Sequence, residues 1–185
     1  MTAGYYSPLG VNTEFLIPGG WVWNGSSLTE CTTGYYSDFA DNTCHQCPID
    51  YACPYKNRPL AQQINCLNTR GYYQPSLGQT ECTICPAGSY CPYGANTITA
   101  CPAGYYSLGA AEYCHQCPAG YACPDLNKPT MIPCLLGEWS GPGQATCTVC
   151  TEGYECFGVE RVACAANKYS DRGVGICRFL DAGFY

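Results

Sequence analysis

The sequence predicts a small disulfide-rich fold: tandem cysteine-rich modules of short β-hairpins and turns, forming an elongated rod with almost no helix. Three observations predict it. Eighteen of 185 residues are cysteine, a density at which composition alone signals a disulfide scaffold. An aromatic anchor, Gly-Tyr-Tyr, recurs every 30 to 37 residues, the mark of a repeat architecture. Leu, Ile and Val are sparse and never form the periodic stretches of an amphipathic helix, so cross-links must do the work of an aliphatic core.

The modules follow in order. Residues 1–30 open with Gly4-Tyr5-Tyr6 and form a cysteine-poor copy. Residues 31–65 carry Gly34-Tyr35-Tyr36, residues 66–100 carry Gly71-Tyr72-Tyr73, and residues 101–133 carry Gly104-Tyr105-Tyr106. In residues 134–163 the anchor reads Gly137-Glu138-Trp139. A partial module, 164–185, opens with Asn167-Lys168-Tyr169. After Trp139 the four cysteines stand at offsets 8, 11, 17 and 25: Cys147, Cys150, Cys156 and Cys164. The same offsets from Tyr6 fall on Glu14, Ile17, Trp23 and Cys31, so the first copy keeps the frame without three of its cysteines. Its "IPGGWVW" follows the shape of "CPAGYAC". In the last copy Cys177 is a first-position cysteine and Leu180 takes the second position.

These two damaged copies discriminate between pairing schemes. If the second and third cysteines of a unit bond each other, and the fourth bonds the first of the next unit, no thiol is left over. That staggered scheme gives Cys31–Cys44, Cys47–Cys53, Cys66–Cys82, Cys85–Cys91, Cys101–Cys114, Cys117–Cys123, Cys134–Cys147, Cys150–Cys156 and Cys164–Cys177. The rival scheme, first-to-third and second-to-fourth within a unit, strands Cys31 and Cys177 unless they pair outside the chain. The losses favour the staggered scheme. "CPAG" suits a type I turn with Pro second and Gly fourth. Gly78, Gly143 and Gly173 each stand four residues before a closing cysteine, where a positive φ is expected.

The motif "CHQCP" at Cys44 and Cys114 also admits zinc or redox chemistry, since paired Cys-x-x-Cys motifs hold zinc in reducing compartments. Two features count against both. The intervening His45 and His115 are replaced by Thr83-Ile84 and Thr148-Val149 in sister modules, which no ligand would be. The βαβ setting of a thioredoxin-type pair is absent. The predicted chemistry is therefore a staple, with no catalytic residue, metal or cofactor. Asp38, Asp41, Glu81 and Glu112 fall at unrelated places in the frame and read as solvated turn residues, so no enzyme is expected. A net charge of −6 and a pI near 4.7 exclude the clustered cationic surface that nucleic acid requires. No apolar stretch is long enough to cross a bilayer. Disulfides persist in oxidising compartments, which places the chain outside the cell, secreted or on a cell-surface appendage. "MTAGYYSPLG" lacks the basic start and apolar segment of a signal peptide, as in a mature chain or an excerpt of a longer one.

Two further features bear on function. The third anchor position is aromatic in all six copies (Tyr6, Tyr36, Tyr73, Tyr106, Trp139, Tyr169) and is expected to pack. The second (Tyr5, Tyr35, Tyr72, Tyr105) is expected to face water. A second aromatic set, Trp21, Tyr51, Tyr90, Tyr121 and Tyr154, lies in or beside the small rings. Asn24-Gly25-Ser26 is an N-glycosylation sequon, so Asn24 is a candidate glycan acceptor.

With this frame in hand, "CPAGYYSLGAAEYCHQCPAGYACP" resembles the ephrin-receptor-like cysteine-rich repeat of the growth-factor-receptor cysteine-rich superfamily. The resemblance covers residues 31–177, and 1–30 in degenerate form. It implies a rod-like extracellular spacer. "TAGYY" at the start and "DAGFY" at the end each look like a further anchor, so modules are expected to continue beyond both. The function expected is a structural, disulfide-stapled repeat rod, a segment of a longer cell-surface or extracellular fibre protein. Its expected partners are copies of itself or further modules, with glycans. The alternative is a ligand-binding or adhesion ectodomain of a receptor-like protein, for which only the Trp21/Trp23 region stands apart from its siblings.

Overall fold

The computed structural model describes residues 2–124 and 131–179. They form only two-stranded antiparallel sheets, each a short hairpin. The helical content among them is two 3₁₀ turns, Leu60–Gln62 and Cys66–Asn68. Among the described residues no helix is long and apolar enough to cross a membrane.

Two kinds of hairpin alternate along the chain. Anchor hairpins pair the Gly-Tyr-Tyr segment with the residues following the closing cysteine. Tyr5–Tyr6 pairs Phe15–Leu16, Tyr35–Tyr36 pairs His45–Gln46, and Tyr72–Tyr73 pairs Thr83–Ile84. Further on, Tyr105–Tyr106 pairs His115–Gln116, Glu138–Trp139 pairs Thr148–Val149, and Lys168–Tyr169 pairs Arg178–Phe179. Ring hairpins lie between them: Trp21–Trp23 with Leu28–Glu30, Tyr51–Ala52 with Ile64–Asn65, and Ser89–Tyr90 with Thr99–Ala100. The last two are Tyr121–Ala122 with Ile132–Pro133 and Tyr154–Cys156 with Arg161–Ala163.

Strands of two or three residues cannot stand alone in water, and the sulfur bridges hold them. Large bridges join Cys31–Cys44, Cys66–Cys82, Cys101–Cys114, Cys134–Cys147 and Cys164–Cys177 across the base of every anchor hairpin but the first. Small bridges join Cys47–Cys53, Cys117–Cys123 and Cys150–Cys156. Cys85 and Cys91 are disulfide-bonded as well, and no cysteine is free. A bridge spanning 13 residues restricts the unfolded chain by about 3 kcal/mol, and one spanning 6 by about 2.4 kcal/mol. Among the described residues most of the buried core is cystine, and Ile17 is the only buried Val, Leu, Ile, Met or Phe.

The chain falls into two compact units, Met1–Ile84 with Cys91–Thr97 and Cys85–Tyr90 with Ile98–Tyr185. In the first, Ile17 and Trp23 stand where siblings have a small bridge. Ile17 is fully buried, and the Trp23 ring packs 5.4 Å from Tyr6, itself 5.7 Å from Phe15. Glu14, at the place of a closing cysteine, accepts from the Thr2 N–H at 2.9 Å and the Thr2 hydroxyl at 2.5 Å. The segment Asn57–Pro59 from the next module lies directly over Gly19 and Gly20. Gln63 steadies that insertion by donating to the Tyr55 and Arg58 carbonyls. Aromatic packing, a hydrogen-bonded clasp and a borrowed loop thus take over from two missing bridges.

Two expectations need correction. The "CPAG" turn is shifted by one residue: the Tyr121 N–H donates to the Pro118 carbonyl, and Tyr105 N–H to Pro102. Proline is therefore first and glycine third. Gly104 and Gly120 at φ +85° give the turn the positive third-position φ of type II. The aromatic alternation holds only in part. Tyr5, Tyr35 and Tyr105 are 38% exposed and their neighbours Tyr6, Tyr36 and Tyr106 half-buried, but Tyr72 is half-buried too. In the last module the order reverses, with Lys168 half-buried against the Phe179 ring and Tyr169 exposed. A two-stranded ribbon has no covered face wide enough to hide a whole ring.

Positive φ occurs where it was expected, at Gly78, Gly143 and Gly173. Ala40 and Ala110 adopt it at the same place without glycine's freedom, at φ 64° and 50°.

Candidate functional site

The most repeated constellation in the molecule is the junction between a small ring and the anchor hairpin that follows it. Three hydrogen bonds make it. The ring glycine N–H donates to the carbonyl of the residue after the anchor: Gly20 to Ser37, Gly88 to Ser107, Gly120 to Ser140 and Gly153 to Ser170, at 2.8–3.1 Å. The positive-φ residue of the anchor loop donates back to the ring-opening carbonyl: Ala40 to Ile17, Ala110 to Cys85, Gly143 to Cys117 and Gly173 to Cys150, at 2.7–3.0 Å. The third bond comes from the serine hydroxyl itself. Ser37, Ser107, Ser140 and Ser170 donate Oγ–H to the carbonyls of Trp21, Ser89, Tyr121 and Tyr154, at 2.6–3.1 Å.

These serines are 0–5% exposed. A buried hydroxyl must find a partner, and each finds the ring of the preceding module. At the fifth junction Gln74 replaces serine. The two backbone bonds remain, Asp50 N–H to Gln74 and Gly78 N–H to Cys47. The glutamine amide instead donates to the Glu81 carbonyl, and Asn96 brackets the Gln74 backbone. The serine recurs in the sequence at positions 7, 37, 107, 140 and 170 as the last residue of the Gly-Tyr-Tyr-Ser motif and its variants, but its bond across the junction is not legible there.

The anchor loop also lies over the anchor glycine of the module before it. A Cβ on Gly4, Gly34, Gly104 or Gly137 would stand 2.6, 2.5, 2.2 or 2.0 Å from the carbonyl oxygen of Ala40, Gly78, Gly143 or Gly173. Glycine is needed there for clearance as well as for φ.

The remaining candidates are scattered. Every cysteine sulfur is committed to a disulfide, so none is a thiolate available to a metal. His45 and His115 are exposed; His45 meets Asp41 at 2.6 Å, and His115 packs 5.0 Å from the Tyr113 ring. Asp38 caps the 3₁₀ turn by accepting from the Leu60 N–H at 3.1 Å. Burial, with Asp38 and Asp41 nearby, pushes the Tyr36 hydroxyl above its ordinary pKa. Asp38 and Asp41 share one anchor loop, while Glu81 and Glu112 sit in two others. Among the described residues no three His, Cys, Asp or Glu side chains gather into a group that could hold a metal ion.

Asn24 lies at the exposed tip of its ring hairpin. Its Oδ1 accepts from the Ser26 and Ser27 N–H groups and the Ser26 hydroxyl, at 2.8–2.9 Å. Two shallow grooves recur at matching places in the frame. One, of about 620 Å³, is lined by Pro54, Ile64, Thr69, Tyr72, Glu81 and Cys82. The other, of about 400 Å³, has Pro124, Ile132, Leu135, Glu138, Thr146 and Cys147 in the corresponding positions.

No protein-family model and no curated protein matches the chain.

Proposed function

We propose that the chain is a structural segment of an extracellular, disulfide-stapled repeat rod, part of a longer cell-surface or extracellular fibre protein. In this reading it is a non-enzymatic member of the ephrin-receptor-like cysteine-rich repeats. The observation that carries the reading is the junction: the same hydrogen-bond set recurs from module to module, while the outward side chains vary freely. Repetition of a joint at the expense of any single elaborated site is the logic of a spacer. Disulfide density supports an oxidising compartment, and in that compartment the exposed Asn24 tip carries an N-linked glycan. Electron microscopy of native material tests the structural role, with fibrils expected. Dispersed compact particles would overturn it. A mass loss on treatment with an N-glycosidase tests the glycan and the secretory route together.

A second reading, a ligand-binding or adhesion ectodomain, draws on the paired grooves at Tyr72 and Glu138. It predicts that a soluble partner is captured and that Tyr72→Ala abolishes capture.

A further inference from the structure

The hairpin of Trp21–Trp23 and Leu28–Glu30 closes a ring that has Ile17 and Trp23 in place of a small bridge. Its tip, residues 24–27, is exposed throughout. Asn24 is the only asparagine of the chain that glycine follows. Such a pair is reactive, because a main-chain nitrogen can attack the side-chain amide just before it, and glycine has no Cβ to obstruct the approach. Gly25 has φ +97° and open space around it, and among the described residues nothing accepts from its N–H. The amide it would attack is polarised by three donors. The Ser26 N–H, the Ser26 hydroxyl and the Ser27 N–H donate to Asn24 Oδ1 at 2.9, 2.9 and 2.8 Å. Asn24 Nδ2 in turn donates to Ser27 Oγ at 3.2 Å. The base of the tip is held as well. The Asn24 N–H donates to the Ser27 carbonyl at 3.2 Å, while the Asn42 side chain, from the next anchor loop, accepts from the Trp23 N–H and donates to the Trp23 carbonyl.

We infer that this tip drives its own deamidation when Asn24 is bare, and that a glycan on Asn24 prevents it. The Gly25 nitrogen gives its proton to water and bonds to Asn24 Cγ. Negative charge develops on Oδ1, where the three donors already stand, the arrangement that lowers barriers in acyl transfer. The Cγ–Nδ2 bond then breaks, and the nitrogen takes up a proton and leaves as ammonia from beside the Ser27 hydroxyl. Water opens the resulting cyclic imide at either carbonyl, so the product is aspartate or isoaspartate, and nothing is oxidised or reduced. Isoaspartate routes the main chain through the side chain and adds a carbon to a hairpin whose register sets Trp23 opposite Leu28. Sibling rings have a disulfide to hold their strands against such a change; this one relies on packing, Trp23 against Tyr6. A glycan occupies the very nitrogen that must leave, so glycosylation and cyclisation exclude each other.

The protective role of the glycan rests on the secretory reading; the cyclisation does not, and neither depends on native fibres. The test compares the whole oxidised chain, made in a host that adds no N-glycan, with the same chain reduced and denatured. Both are incubated at neutral pH and followed by a mass gain of about 1 Da and by enzymatic methylation of isoaspartate, mapped to the peptide that holds Asn24. The folded chain should convert several-fold faster than the denatured one. Ser26→Ala should slow the folded chain roughly tenfold and leave the denatured chain unchanged, while Ser26→Thr, which keeps the hydroxyl, should retain the wild-type rate. Gly25→Ala should slow conversion in both states. In protein from a glycosylating host, the glycosylated fraction should stay unconverted at Asn24. A folded chain that converts more slowly than the denatured one overturns the inference, as does a Ser26→Ala effect equal in the two states. Conversion of glycosylated Asn24 at the bare rate overturns the protective role.

Discussion

Substituting Gly104 by alanine separates the two reasons for having glycine at an anchor. Gly104 has φ +85°, a left-handed conformation that costs an L-residue about 1–2 kcal/mol. The new Cβ would also stand 2.2 Å from the Gly143 carbonyl oxygen and 2.9 Å from its carbon. Both are backbone atoms that no rotamer change can move, and overpacking of this kind adds about 1–3 kcal/mol. Gly10→Ala is the matched control: φ is +83° and nothing lies within 4 Å of the Cβ. Conformational strain and the alanine effect on the unfolded chain cancel between the two variants. The difference, about 1–3 kcal/mol, is the contact between modules. Native-state hydrogen exchange under oxidising conditions reads it locally, from the Gly143 N–H bonded to Cys117 and the Gly120 N–H bonded to Ser140, against Val11 N–H in the control. Equal losses of protection in the two variants would refute close stacking over the anchor glycine.

Ser140→Ala removes the buried hydroxyl that donates to the Tyr121 carbonyl and should cost about 1–2 kcal/mol at that junction; a loss below about 0.3 kcal/mol by the same exchange measurement contradicts the coupling role. Ala110→Gly relieves a left-handed alanine and should raise stability by up to about 1 kcal/mol after glycine's entropy is subtracted; a lower melting temperature rules that out. Removing the large bridge with Cys101→Ser/Cys114→Ser should destabilise more than removing the small one with Cys117→Ser/Cys123→Ser, about 3 against 2.4 kcal/mol, and denaturant midpoints decide the order. The Thr2 hydroxyl and then its N–H hold the Glu14 carboxyl below its ordinary pKa of 4.5. The clasp is therefore intact above 4.5 and lost as pH falls through the lowered folded value. The Thr2 amide resonance should titrate in that acid range, and an amide that does not move argues against the clasp.

The hairpin fold and the spacing of its bridges were legible because cysteine offsets and glycine punctuation are local signals. The positive φ at Gly78, Gly143 and Gly173 was legible for the same reason. What could not be read was direction across a junction. Ser107 looks like any loop serine until its hydroxyl is seen to reach back to Ser89, 18 positions earlier. The burial of the tyrosines escaped for a related reason, since a ribbon only two strands wide obeys no inside–outside alternation. Nor does the pattern reveal that the insertion after Cys53 covers Gly19 and Gly20, because nothing periodic links a lost bridge in one module to extra length in the next.

At each of the five junctions two bonds belong to the main chain, and only at four does a serine hydroxyl add a third. Substitution can therefore repaint the outside of this molecule without loosening its joints, as the exchange of Tyr105 for Glu138 and Lys168 at one frame position already illustrates. Lineages carrying such a chain could change its charge, stickiness or sugar coat at small energetic penalty, and divergence of that sort would leave the sulfur and glycine skeleton as the lasting trace of kinship.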